Sequence, residues 1–178
     1  EPENNLIFKS FNAIKEYCKV DEGIQIHLKK NIPVGAGLGG GSSNAATTLI
    51  ALNKIWGLDL SREELAKIGK PLGADIPIFI YGKNAIATGI GDVFLDVEFR
   101  KNKFLLISPN IEVSTGEMFR KLKIDKLSSK HQNSFLDTLL RENKSIEEFY
   151  ASNINDYDLK LSGTCLLYTS PSPRDDLW

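Results

Sequence analysis

The chain has 178 residues, of which 42% are hydrophobic and 25% charged. That balance belongs to a soluble globular protein and excludes a disordered, collagen-like or coiled-coil chain. Lys+Arg is 22 and Asp+Glu is 23, so no overall positive field holds nucleic acid or an anionic membrane, and neither partner is expected.

Two cysteines without a CxxC cannot build a disulfide framework. Cys18 falls on an apolar helical stripe and reads as core, and a reducing, cytoplasmic compartment is expected. The longest apolar stretches, such as Ile76 to Tyr81, are far too short to cross a bilayer. The oligomeric state is left open.

In chain order, Asn4 or Asn5 is a candidate cap for a first helix, where Ile7, Phe11, Ile14 and Cys18 recur at helical spacing. Gly23 then opens an alternation that reads as a strand. Ile24, Ile26 and Leu28 lie on one side, with Gln25, His27 and Lys29 on a wet side. After a glycine-rich run, Ala45, Leu49, Leu52 and Trp56 mark one face of a helix. Ser61 and Glu64 form a capping box for another, with Leu65 and Ile68 inward and Gly73 placed to end it. Ile76–Tyr81, Ala85–Thr88 and Val93–Val97 read as short strands.

The basic run Arg100-Lys101-Asn102-Lys103 marks a soft boundary. Beyond it, Phe104–Ser108 reads as a strand, and Ser114 with Glu117 as a second capping box. Phe135, Leu136, Leu139 and Leu140 suggest a helix. Ser145 with Glu148 reads as a third box before Phe149 and Tyr150. No internal repeat is visible.

The strongest feature is Pro33-Val34-Gly35-Ala36-Gly37-Leu38-Gly39-Gly40-Gly41-Ser42-Ser43-Asn44, which holds five of the fourteen glycines. Glycines this dense cost folding entropy, and close backbone approach to a ligand accounts for them. Exposed N–H groups, continued by the N-terminus of the helix that follows, form a cradle for anions. Ser42 and Ser43 add hydroxyls for phosphate oxygens or a phosphate-bound Mg²⁺. A flexible linker would not be framed by a strand, a proline and a patterned helix. The run is not a Walker A loop, since no Gly-Lys-Ser/Thr closes it. It satisfies GxGxxG literally, but a dinucleotide fold wants an acidic residue ending the next strand, and Asp59 lies between two helices.

On these residues the chain resembles the phosphate-binding loop of the GHMP kinases, the superfamily of galactokinase, homoserine kinase and mevalonate kinase. Most members carry a shorter GLGSS core. The longer Gly37 to Ala46 run is similar to the branch that phosphorylates a cytidylyl-linked methylerythritol in non-mevalonate isoprenoid synthesis. Pro2-Glu3-Asn4-Asn5-Leu6-Ile7 resembles the opening of that family's first helix, and Leu72-Gly73-Ala74-Asp75-Ile76-Pro77-Ile78-Phe79 its catalytic segment. Gly82, Ala85, Ala87, Gly89, Ile90 and Gly91 fit the hairpin that follows. Leu161-Ser162-Gly163-Thr164 resembles the start of its second glycine loop.

The resemblance implies an α+β, two-domain GHMP kinase fold. Its parts are a ribosomal protein S5 domain 2-like N-terminal domain over 1–99 and a ferredoxin-like C-terminal domain over 100–164, truncated at both ends. It implies transfer of the γ-phosphoryl of ATP to a 2-hydroxyl, with Asp75 as catalytic base, residues 33–44 and Ser162, Gly163 and Thr164 around ATP, and Mg²⁺ as companion ion. The implied partner is a small-molecule substrate, in a cytoplasmic or plastid setting. Another GHMP kinase, of homoserine or mevalonate type, and a nucleotide-binding fragment without catalysis are the alternatives. Cys165 stands where the family has a glycine, and 165–178 reads as a non-native tail. The family's N-terminal segment, with a lysine that pairs with the catalytic aspartate, is not in this sequence. ATP binding without turnover is therefore expected of the chain alone.

Overall fold

The computed structural model describes residues 2–32, 37–89, 91, 93–98, 104–107, 113, 115–122, 133–155, 159–162 and 166–169. The chain divides into two compact units, one of residues 1–30 with 39–100 and one of 31–38 with 101–178.

The first unit is a layer of helices with a β-hairpin. A 3-10 turn at Pro2–Asn4 leads into α1 (Leu6–Cys18), capped by Asn5, whose side chain accepts from the Ile7 N–H at 3.0 Å. α2 (Gly40–Ile55) packs against α1, and α3 (Arg62–Gly69) and α4 (Ile76–Tyr81) close the other side. The core is Ile14, Ala45, Ala46, Leu49, Leu52, Leu65, Ile68, Ile76 and Ile80, where the helical stripes meet. Cys18 and Trp56 pack at its edge. Burial, with a smaller push from the Glu64 carboxylate, raises the Cys18 thiol above its ordinary pKa.

Both halves of the Ser61–Glu64 capping box form. The Glu64 N–H donates to Ser61 Oγ at 3.2 Å, and Glu64 Oε2 accepts from the Ser61 N–H at 2.8 Å. Asn53 clamps the α2–α3 connection by exchanging two 3.0 Å bonds with the Leu60 backbone. β1 (Ala85–Thr88) and β2 (Val93–Asp96) pair antiparallel, with Ala85 opposite Asp96 and Thr88 opposite Val93.

Four local expectations are corrected in this unit. Ile76–Tyr81 is a helix, not a strand: Pro77 fits the first turn, Gly82 (φ +72°) ends it, and Arg62 donates to the Ile80 and Tyr81 carbonyls there. A continuous apolar run of six does not distinguish the two states. Residues 24–29 form no strand. Ile24, Ile26 and Leu28 do turn together toward Ile7, Phe8 and Phe11 of α1, around a hollow of about 280 Å³. A ladder needs a second strand, and none pairs with this segment among the described residues. α3 ends at Gly69, ahead of Gly73, with Lys70 as its C-cap and Pro71 next. α2 begins at Gly40, four residues before Asn44.

In the second unit, β3 (Leu105–Ile107), β4 (Leu159–Ser162) and β5 (Leu166–Thr169) form an antiparallel sheet of order β3-β5-β4. With it come α5 (Thr115–Lys121), α6 (Leu136–Glu142) and α7 (Lys144–Asn153). Met118, Leu136, Leu139, Ile146, Tyr150, Leu159 and Leu161 make the core. Asn133 links α6 to the sheet: its Oδ1 accepts from the Phe135 N–H at 2.9 Å and its Nδ2 donates to the Leu161 carbonyl at 3.1 Å.

The third capping box does not form. Asn143 takes the N-cap position of α7 with no side-chain cap, so Ser145 is already inside the helix. Ser114, of the second box, lies outside the described residues. No strand was expected at Leu166–Thr169, yet this stretch is the middle strand of the sheet, satisfying backbone groups on both sides. The fold is α+β, with antiparallel strands and helices in separate runs.

Candidate functional site

The site is built from the first turn of α2. Gly39 sits at φ +66°, ψ 16°, a left-handed conformation that costs an L-residue with a Cβ but not glycine. The chain enters the helix through it, and the first helical ring closes from the Ser43 N–H to the Gly39 carbonyl at 2.8 Å. The N–H groups of Gly40, Gly41 and Ser42 precede that ring and have no partner within the helix. Gly39, at the N-cap position, has no side chain to cap them. Three convergent donors at the positive end of a 16-residue helix dipole make a ready anion cradle. A Cβ on Gly41 would lie 3.3 Å from Leu6 Cδ1, a tight contact.

The turn after α3 comes to the same place. The Leu72 and Gly73 N–H groups both donate to the Gly69 carbonyl, and the Ile76 N–H donates to the Gly73 carbonyl at 3.1 Å. A Cβ on Gly73 would stand 3.9 Å from Ser42 Oγ. The turn that carries Asp75 thus lies against the hydroxyl at the start of α2. Asp75 occupies the N-cap position of α4, but its side chain makes no cap bond, and the residue is exposed. The carboxylate is not spent on holding the helix.

Two more contacts frame the turn. Gly91, at φ +88° between β1 and β2, brings its Cα close to Ala74; a Cβ there would be 3.7 Å from the Ala74 carbonyl oxygen. The Phe79 ring lies on Gly39, where a Cβ would meet Cζ at 2.7 Å. In the sequence Phe79 closed the stretch that resembles the catalytic segment, but it carried no role of its own and read as one more apolar residue of a strand. The i,i+4 spacing from Asp75 becomes informative only once the segment is known to be helical.

In the second unit, Ser162 ends β4, and its hydroxyl donates to the Gly37 carbonyl at 3.4 Å, a long bond. Leu38 is half-buried. Asn44 accepts a 2.8 Å bond from Thr48 Oγ1 on its carbonyl. Pro33, Val34, Gly35, Ala36, Gly163 and Thr164 lie outside the described residues.

A larger groove of about 550 Å³ runs between α3, α4 and β2, floored by Ala66, Pro77, Ile80 and Phe94. It contains none of the expected site residues, and its Arg62 is engaged with the α4 carbonyls. Among the described residues no group of three or more His, Cys, Asp or Glu is placed to hold a metal ion, and no helix is long and apolar enough to cross a membrane.

Comparison with known proteins bears on this geometry. Residues 5–83 match the family of GHMP kinases N terminal domains. The 4-diphosphocytidyl-2-C-methyl-D-erythritol kinase of Polynucleobacter necessarius subsp. necessarius (strain STIR1) is 46% identical over 119 residues, 67% of this chain and 40% of that protein. The protein of the same name from Marinomonas sp. (strain MWYL1) is 41% identical over 186 residues, 97% of this chain and 61% of that one. A crystal structure of 4-(cytidine 5'-diphospho)-2C-methyl-D-erythritol kinase superposes with a TM-score of 0.79 at 24% identity, covering 96% of this chain and 70% of that chain. It shows the same fold. The chain spans between 40% and 61% of the length of these curated relatives.

Proposed function

We propose that this chain, whose residues 5–83 match the GHMP kinases N terminal domain, is part of a kinase that transfers the γ-phosphoryl of ATP to the 2-hydroxyl of 4-diphosphocytidyl-2-C-methyl-D-erythritol. The product would feed non-mevalonate isoprenoid synthesis. The relatives' names support the substrate. The observation that carries the chemistry is the approach of the Gly73–Asp75 turn to Ser42 at the open start of α2. An anion cradle and an uncommitted carboxylate then serve one reaction.

Phosphoryl transfer passes through a loose transition state, so the protein's work is positioning and charge stabilisation. The N–H groups of Gly40, Gly41 and Ser42 hold phosphate oxygens by direct, pre-oriented bonds. Asp75 orients the acceptor hydroxyl and takes its proton as the new P–O bond forms. ADP leaves with the bridging oxygen. Pro33 to Asn44 form the ATP loop in this reading, and Ser162, Gly163 and Thr164 belong to a second glycine loop. Residues 1–99 are the ATP-binding domain and 100–164 the second domain, with β5 completing the latter's sheet.

The donors present fit Mg²⁺ in one form. The ion demands oxygen ligands and keeps waters and substrate phosphates in its shell. Hydroxyls at Ser42 or Ser43 beside the cradle suit an ion carried in by the nucleotide, and a three-carboxylate cage is not needed. When bound, the ion neutralises charge on the phosphates. The other partner is a small molecule, and the cytoplasm is the proposed setting.

ATP binding to the chain is measured by titration calorimetry, and turnover by coupled ADP release in the whole-length kinase of which the chain is a part. The cytidylyl-linked acceptor is compared with homoserine and mevalonate. Phosphorylation of homoserine or mevalonate alone overturns the substrate assignment, and absence of ATP binding overturns the kinase reading.

A further inference from the structure

We propose that Phe79 is a positioning residue. Its ring braces the left-handed turn at Gly39, so that α4 holds the phosphate-facing start of α2 at a fixed spacing from Asp75. This inference rests on the ATP-kinase reading above.

The burial pattern of α4 is the first ground. Ile76 and Ile80 are fully buried and supply this helix's contribution to the core. Phe79 is 36% exposed and is not part of that core. The helix therefore does not need an aromatic ring there in order to dock. Instead the ring covers Gly39, with Cζ and Cε2 2.7 and 2.9 Å from where a Cβ would be. A Cβ at Gly39 would have to displace the ring, and the φ of +66° favours glycine independently.

Connectivity is the second ground. Asp75 is the N-cap of α4 and Phe79 follows four residues later, so both lie on one face of the helix. The opposite end of the same assembly is fixed by the approach of Gly73 to Ser42. α2's first turn is thus held at two points, at Ser42 by the turn before Asp75 and at Gly39 by the ring after it. α4 has only six residues and is anchored at its far end by Arg62 on its last carbonyls. It acts as a short strut. Loss of the ring frees the Gly39 turn, and the N–H groups of Gly40, Gly41 and Ser42 lose their shared aim. The phosphate-dependent part of nucleotide binding is then lost, while contacts to the nucleoside are untouched.

The test compares ATP with adenosine on the 178-residue chain by titration calorimetry. Phe79→Ala is expected to weaken ATP binding roughly ten- to hundredfold, the effect of losing one hydrogen bond to a charged group, and to leave adenosine binding unchanged. Phe79→Leu, which still covers Gly39, is expected to restore most of the ATP affinity. Phe79→Val, too short to reach over Gly39, is expected to reproduce the loss and provides the test should Phe79→Ala fail to fold. Equal loss of ATP and adenosine affinity would make the ring a general structural element and overturn the proposal. Unchanged ATP affinity in a folded Phe79→Ala or Phe79→Val overturns it too. A chain that binds neither ligand before substitution refutes the kinase reading itself, which separates the two failures.

Discussion

Gly69→Ala tests whether the packing that sets the Asp75 turn is as tight as the structure states. Gly69 is buried at the last position of α3 with an ordinary helical φ, so backbone strain does not enter. A Cβ there would lie 2.5 Å from Ile76 Cγ2 and 3.2 Å from Leu49 Cδ1, well inside the ~3.5–4.0 Å optimum for carbon pairs. Ile76 and Leu49 are both fully buried and cannot swing outward. The Ile76 methyl is also one bond from Cβ, so relieving it requires α4 to move. Overpacking of this kind costs about 1–3 kcal/mol. Alanine recovers up to about 1 kcal/mol of helix propensity over glycine. With the clash near the upper end of its range, the net loss is about 1–2 kcal/mol, or a fall in Tm of roughly 2–8 °C.

Urea unfolding followed by Trp56 fluorescence reads it out, in a Trp178→Phe background so that the tryptophan at the end of α2 reports alone. Adding Ile76→Leu, which removes the β-branch, should recover part of the loss. A Gly69→Ala chain as stable as its parent would refute the close approach of α3 and α4, and with it the fixed position of the Asp75 turn.

Other consequences are open to measurement. Ser10 is fully buried on α1, and its hydroxyl has no hydrogen-bond partner among the described residues. Ser10→Ala should therefore raise stability by about 1 kcal/mol, and a destabilised variant in urea would show that the hydroxyl is satisfied. Ser61→Ala removes the α3 cap and should cost about 1 kcal/mol at neutral pH. The Ser61 backbone N–H, and next its hydroxyl, hold the Glu64 carboxyl below its ordinary pKa. That contribution is present above the unfolded value and is lost as pH falls through the folded one. Ser61→Ala keeps the backbone bond and loses the hydroxyl's, so the gap between parent and variant should narrow only slightly on acidification; a gap that widens would refute the hydroxyl's part in holding Glu64 ionised. Asp75→Asn in the whole-length kinase should lower kcat at least about 100-fold, the low end for a general base. Near-normal turnover would remove Asp75 from the mechanism.

The helices α1, α2 and α3, their caps at Asn5 and Ser61 and the hairpin at 85–96 were legible in the sequence, because each is specified by neighbours within four residues: a cap, an apolar stripe, a glycine turn. The glycine run stood out for the same reason, whereas the Asp75 segment was singled out only by its resemblance to the family's catalytic segment. The identity of α4 was not, since six consecutive apolar residues carry no period, and only docking against Leu49, Gly69 and Gly73 makes them a helix. Nor was the fate of 24–29, whose alternation is real but whose partner is not local. The role of Leu166–Thr169 depended on two strands sixty residues and four residues away.

Local pattern alone marked a glycine-rich run suited to an anion, on a chain of near-zero charge, and the family resemblance pointed to Asp75. Only the tertiary structure brought Gly73 against Ser42, left Asp75 uncapped and laid Phe79 on Gly39. Hydrogen bonding and periodicity act over a few residues and are written in order along the chain. Distances between Gly39, Ser42, Gly73 and Phe79 are set by how α2, α3 and α4 bury Leu49, Ile68, Ile76 and Ile80 together, and that sum is not local to any segment.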